Sequence, residues 1–292
     1  MIINTYGMNF GLFITTSFKG DMIKIARYFF GLLLISSFTF VKENEGSFNK
    51  NMAFSEGEVL TYRVMVGWLN AADARMEISP EIHTINNRPA YKIDVYGKTL
   101  SVFDFFTKVR DHWGTYVDTA TMLPHRSYRY IEEGRYRKNE IVDFDRKNKV
   151  AIVSKLDKQT KALREKKTYP IDPNMQDIVS GYYYLRTLEF KNRKAGEVIK
   201  IKGFFNEEEY NLEMIFEGRE SLKTNIGDIQ TLVFSPILPK NKLFDGEKPI
   251  KIWLSDDLNK IPLKIKAKMF VGSIDIDIKS ATGLRNGLDL TF

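Results

Sequence analysis

From Gly57 to Thr282 the chain alternates apolar with polar side chains at a period of two, and this rhythm narrows the fold more than anything else in the sequence. Successive side chains of an extended strand point to opposite faces, so a strand with one buried face reads this way. The pattern runs through GEVLTYRVMVG (57–67), ARMEISPEIH (74–83), AYKIDVYG (90–97), FTKVRDHWGTYVD (106–118), HRSYRYIEE (125–133), RKNEIVDFD (137–145) and KVAIVSK (149–155). It resumes at GEVIKIKGFF (196–205), YNLEMIFEGRE (210–220), GDIQTLVFSPIL (227–238), PIKIWLSDD (249–257), IPLKIKAKMFVG (261–272) and SIDIDIKSAT (273–282). Val, Ile, Tyr, Phe and Thr dominate, as a half-buried pleated surface favours. The breaks carry turn chemistry, as in Asn86-Asn87-Arg88-Pro89, Glu133-Gly134 and Asp145-Arg146-Lys147-Asn148. Short turns make antiparallel neighbours. The pattern predicts an all-β fold: a long antiparallel sheet curled into a barrel, half-barrel or roll. Two stacked sheets are the alternative that yields the same text.

One segment breaks the rhythm. Asp172-Pro173-Asn174-Met175 reads as the start of a helix, and Gln176 to Leu188 places Ile178, Tyr182, Leu185 and Leu188 on one helical stripe. This helix is expected to pack on an open face or mouth of the sheet. No Pro-, Gly- or Ser-rich linker and no fixed-period repeat divides the chain, so residues 54–292 are expected to form a single domain. With 43% apolar and 13% aromatic residues in 292, the chain can build a substantial core.

The N-terminus reads as a targeting signal. From Met22, Lys24 and Arg27 form a basic start, Tyr28 to Val41 form an uncharged apolar run, and a polar stretch follows. The run falls short of the roughly 20 residues a spanning helix needs, so residues 1–41 are expected to be removed rather than kept as an anchor. Both Met1, with the apolar patch Phe10 to Ile14 then part of a longer region before the signal's apolar run, and Met22 stand as initiators. Residues 42–53 are expected to form a flexible lead-in. The expected location is the periplasm, and the absence of cysteine excludes a lipid-anchored lipoprotein. It also excludes disulfides, thiolate nucleophiles and Cys-based zinc sites.

The formal net charge of +7 falls to about +5 once Lys19, Asp21, Lys24 and Arg27 are removed. Lys and Arg are interleaved with Asp and Glu throughout, so no nucleic-acid partner is expected. His83, His112 and His125 are the only histidines, and neither a metal nor a cofactor is expected.

The order of GEVLTYRVMVGWLNAADARMEI, FDFFTKVRDHWGTYVD, LPHRSYRYIEEGRY, the DFD turn, MQDIVSGYYYLRTL, GRESLKTNIGDIQTLVFSPIL and IWLSDDLNKIPLKIKAKMFVGSIDIDIKSATGL resembles the bacterial family known as domain of unknown function 3108 (DUF3108), over about residues 54 to 284. The resemblance implies a periplasmic or envelope-associated domain and carries no catalytic residues with it.

Arg110-Asp111-His112-Trp113 brings an acid, a base and a cation together in sequence. On a strand, Arg110 and His112 share one face and Asp111 the other, so they cannot form a relay; the reading is structural, with Arg110, Asp111, His112 and Asp177 the polar cluster to test. His125, beyond Leu123-Pro124, is read as a surface histidine, and His83 as a residue beside a turn. Ser180 beside Asp177 lacks a placed base, and Asp256-Asp257 reads as a turn. No G-x-S-x-G, H-E-x-x-H, Walker A or G-x-G-x-x-G motif occurs. Among the aromatics, Phe103, Phe105, Phe106, Tyr182, Tyr183 and Phe204 are the candidates to line a concave, ligand-holding face. The chain is thus expected to be a non-enzymatic binding or maintenance module of the envelope, with a lipidic, glycan or protein partner. A cell-envelope hydrolase and a structural assembly protein are the alternatives.

Overall fold

The structure, a computed structural model, describes residues 51–238, 246–270 and 272–290. Among these, fifteen antiparallel strands form one sheet. They are β1 (Val59–Val66), β2 (Leu69–Ile78), β3 (His83–Ile85), β4 (Arg88–Thr99), β5 (Arg110–Asp118), β6 (Pro124–Glu133), β7 (Tyr136–Asp145), β8 (Val150–Leu156), β9 (Leu163–Pro170), β10 (Val198–Phe205), β11 (Glu208–Thr224), β12 (Gly227–Pro236), β13 (Ile250–Ser255), β14 (Pro262–Lys268) and β15 (Ser273–Thr282). Two short helices, α1 (Ser101–Asp104) and α2 (Ile178–Thr187), interrupt the series.

Across the sheet the order is β10-β11-β12-β13-β14-β15-β1-β2-β4-β5-β6-β7-β8-β9, with β3 paired to β4. This is an up-and-down meander cut between β9 and β10 and joined between β15 and β1. The cut edges come back together. Phe204 of β10 packs on Phe144 of β7 and Tyr169 of β9, with ring centroids 6.4 and 5.8 Å apart. Glu207, just beyond β10, accepts from the Tyr169 hydroxyl and pairs with Lys155 of β8. In the gap itself Gln176 N donates to Lys202 O at 2.9 Å, and Phe204 N donates to Gln176 O at 2.8 Å. The sheet is therefore rolled into a barrel with a seam that the chain leading into α2 fills, as the alternation predicted.

The edge strand β9 had no counterpart in the sequence pattern. Its LREKKTYP is exposed or half-exposed throughout, so no buried face imposes a period of two. Its charges guard an edge that would otherwise invite pairing.

Helix α2 lies inside the barrel. It starts later than Asp172-Pro173 suggested, because Asp177 is the N-cap: its carboxylate accepts from Val179 N (2.8 Å) and Ser180 N (3.1 Å), and Ser180 Oγ accepts from Asp177 N (2.9 Å). This reciprocal pair satisfies donors that a helix start leaves open. Nor is one stripe buried. Val179, Tyr183 and Arg186 sink deepest on one side and Leu185 on the other, while Ile178, Tyr182 and Leu188 are partly buried. A helix enclosed by a rolled sheet has no solvent face to spare.

Residues 51–53, expected as the loose end of a lead-in, are held fast. Asn51 Oδ1 accepts from Ala53 N and Phe54 N, and Arg285 and Asn286 donate to Asn51 O and Met52 O. The targeting segment lies outside the described residues. No helix among the described residues is long and apolar enough to cross a membrane.

Candidate functional site on the outer wall

The barrel interior is filled by side chains and α2. Two cavities beside α2 measure about 20 Å³, beside Tyr182, Leu185 and Tyr210, and about 30 Å³, beside Trp113, Asp177 and Phe205. Either holds about a water molecule. The six aromatic candidates do not share one concavity. Tyr183 and Phe204 are core, and Tyr183 meets Phe54 edge-on at 4.9 Å. Tyr182 is half-buried against the core. Phe103 packs beneath the β1–β2 turn with Ala71, Val66 and Leu69, whereas Phe105 and Phe106 face outward.

The outer face differs sharply between two walls. Across β14, β15, β1, β2 and β4 the register aligns Lys264, Asp277, Arg63, Asp73 and Lys98, a row of alternating charge. Across β4 to β8 it aligns Tyr96, His112, Tyr130, Asn139 and Leu156. The next row places Asp94, Gly114, Tyr128 and Ile141 together. One wall is a solvated ionic ladder; the other is a half-exposed aromatic platform.

His112 is the centre of that platform. Its ring stacks on Tyr96 at 4.4 Å and meets Tyr128 edge-on at 5.4 Å, with Tyr130 at 5.8 Å. Its Nε2 lies 2.7 Å from Asp94 Oδ1, which also accepts from the Tyr128 hydroxyl, and Lys92 stands 3.3 Å from Asp94 Oδ2. Burial alone would raise the Asp94 pKa, but His112, Tyr128 and Lys92 outweigh it and hold the carboxyl below its ordinary value. Burial, then the Asp94 charge, pushes the Tyr96 hydroxyl up to about 12. Gly114 makes room for the Tyr128 ring: a Cβ there would lie 2.2 Å from it. Lys161, on the β8–β9 loop, covers Tyr130 at 4.6 Å and donates to Asn139 Oδ1 at 2.8 Å.

Arg110, Asp111, His112 and Asp177 separate as strand geometry requires. Arg110 pairs with Asp104 of α1 at 2.5 Å. Asp111 faces inward, accepts from Glu132 N and neighbours Glu133; burial, then that second carboxyl, pushes its pKa up to about 8. Asp177 accepts from Thr115 Oγ at 2.6 Å. Thr115 lies four residues from Asp111, about 13 Å along the strand. Burial raises the Asp177 pKa despite those hydrogen bonds.

His125 corrects the sequence reading. It is buried, 3.2 Å from Asp118, because its place in β6 puts it on the same inward face as Ser127, Arg129 and Ile131. Burial lowers its pKa, only partly offset by Asp118. His83 lies 3.1 Å from Ser79 Oγ. Asp256 and Asp257 diverge, the first to Arg219 and the second to the turn amides of Asn259 and Lys260.

Beside the aromatic platform, where β7, β8 and β9 end, a groove of about 330 Å³ is lined by Arg137, Lys138, Lys155, Lys158 and Arg164, with Glu165 its one acid. Among the described residues the side chains of Lys158 and Arg164 have no ion-pair partner.

Residues 61–279 match the family described as Protein of unknown function (DUF3108), and the chain belongs to it. No curated protein matches. Among solved structures, the chain is similar to a beta-barrel-like protein of domain of unknown function DUF1849 from Brucella abortus, at 9% identity and TM-score 0.49, covering 78% of this chain and 98% of that one. It is also similar to a protein of Parabacteroides distasonis provisionally described as a lipoprotein (12% identity, TM-score 0.31, 81% and 100% covered). A third is a Bacteroides fragilis protein with a YmcC-like fold, provisionally described as exported (8% identity, TM-score 0.30, 80% and 99% covered).

Proposed function

We propose that this chain is an exported, periplasmic and non-enzymatic binding module that holds a glycan on the outer wall of β4 to β8. The observation that carries the reading is the stacked Tyr96–His112 pair with Tyr130 and Tyr128 beside it, edged by Asp94, Lys92 and Lys161. The apolar C–H face of a sugar ring packs on such rings, while planar acids, amides and ammonium groups bond its hydroxyls. A lipid chain would need a lumen, and the two cavities beside α2, about 20 and 30 Å³, are each too small for one. Export is supported by the basic and apolar order of residues 22–41.

A glycan array followed by calorimetry tests the reading. Tyr96→Ala or Tyr130→Ala should weaken binding at least about fivefold, since an aromatic contact contributes about 1 kcal/mol beyond its buried area. Lys264→Met on the ionic wall should leave binding unchanged, and the glycan should be recovered uncleaved. Silence across the array, or equal loss from both walls, would reject the proposal.

A further inference from the structure

Three neighbouring turns at one end of the barrel push large apolar side chains into solvent. Trp68 occupies the tip of the two-residue β1–β2 turn and is 85% exposed; Phe105, just after α1, is 84% exposed. Val102, Phe106 and Phe270 of the β14–β15 turn are exposed beside them. These turns are tied together: Gly67 N donates to Ser273 O at 2.8 Å, and Leu100 N donates to Ala71 O at 2.9 Å. Phe103 plugs the space below. Single exposed apolar residues are ordinary; several on adjoining tips need a partner.

The same end is basic. Lys98 and Lys268 close β4 and β14 and are exposed, and Lys108 precedes β5. Further round the rim, the β6–β7 turn carries exposed Arg135 and the β8–β9 end carries Lys158 and Arg164 above their groove. Of the acids there, Asp104 pairs with Arg110, Glu132 with Lys108 and Arg137, and Glu165 with Lys155 and Lys167, while Asp157 lies close enough to Arg164 to feel its charge and is held by its own turn amides. We infer that this end docks on the surface of an anionic phospholipid bilayer. The tips enter the boundary between headgroups and acyl chains, and the cations behind them meet lipid phosphates. Separate, protruding tips fit a fluid surface better than a shaped partner, and the positive rim complements its charge. This inference stands without the glycan reading.

Flotation of the whole exported chain with vesicles tests it. Phosphatidylethanolamine–phosphatidylglycerol vesicles should carry the protein and pure phosphatidylcholine vesicles should not, with binding falling as salt rises. Trp68→Ser and Phe105→Ser should each cost about tenfold in partitioning, and Lys158→Glu with Arg164→Glu should cost at least as much. All four positions are exposed, and unchanged circular dichroism would verify folding. Because Trp113 and Trp253 are buried, a blue shift in emission on adding vesicles should vanish in Trp68→Phe. Binding indifferent to lipid charge and to the tips would overturn the inference. So would absent vesicle binding with tip-dependent self-association in sedimentation velocity.

Discussion

Of the places in this barrel that take charged side chains out of water, two pair them in opposite ways. At one, Arg186 of α2 and Glu58 beside β1 are both fully buried and meet in a two-pronged contact of 2.6 and 2.7 Å. Arg186 also donates to Asn259 O at 3.0 Å and lies over the Phe54 and Tyr183 rings. At the other, Asp111 and Glu133 bury two carboxyls together on the inner face near the apolar rim. In the first, burial that would strip the Arg186 proton is overcome by Glu58, and the guanidinium pKa rises. In the second, burial and the Glu133 charge outweigh the hydrogen bond from Glu132 N, and the Asp111 pKa is pushed up to about 8. The first site fixes the helix inside the sheet; the second lends the fold a dependence on pH.

Breaking the matched pair should have the largest effect. Glu58→Gln leaves a buried guanidinium with no opposite charge and should cost about 3 to 5 kcal/mol in denaturant unfolding at neutral pH. Replacing both partners, as Glu58→Gln with Arg186→Met, removes the uncompensated charge and should recover part of that loss. If the single and double variants lose the same amount, the pair is not what holds α2.

The like-charged pair should show its effect through pH. The folded pKa of Asp111 is raised above its ordinary 3.8. Below about pH 4 the carboxyl is protonated in folded and unfolded chains alike, and contributes no pH dependence. Between about pH 4 and 8 the unfolded chain releases a proton that the folded chain keeps, so stability falls as pH rises; above about 8 that loss is complete. Asp111→Asn removes the titration. It should leave stability near pH 4 almost unchanged and raise it by several kcal/mol at pH 8. A variant whose pH profile runs parallel to that of the parent would show that the proton sits elsewhere.

The contrast between these sites also marks what the sequence made legible. Alternation located most of the strands, though not β9, and set His112 and Asp111 on opposite faces, because strand geometry alone determines both; which face turns outward it left open. The N-cap could have been read from the Asp177-x-x-Ser180 spacing, but Asp172-Pro173 offered a competing start. Glu58 and Arg186 lie 128 residues apart, and only the joining of β15 to β1 around the helix brings them together. The same holds for Asp94 and His112, whose meeting depends on the β4–β5 register. That the turn of Trp68 stands beside α1 and the β14–β15 turn follows from sheet order, which local pattern does not encode.

A half-exposed pair of opposite charge completes the comparison and should have the smallest effect. Lys264 and Asp277 face each other across β14 and β15, 2.8 Å apart, with side chains 25% and 34% exposed. Water already solvates both groups, and ordering the lysine chain costs entropy that offsets much of the attraction. Lys264→Met should therefore change stability by less than about 1 kcal/mol, and the change should shrink as salt is added. Its contact is nearly as short as those of Arg186 with Glu58, so contact distance barely differs between the two pairs while burial does. If Lys264→Met cost as much as Glu58→Gln, desolvation would not be the source of the larger effect, and the roles drawn for the two buried sites would lose their common basis.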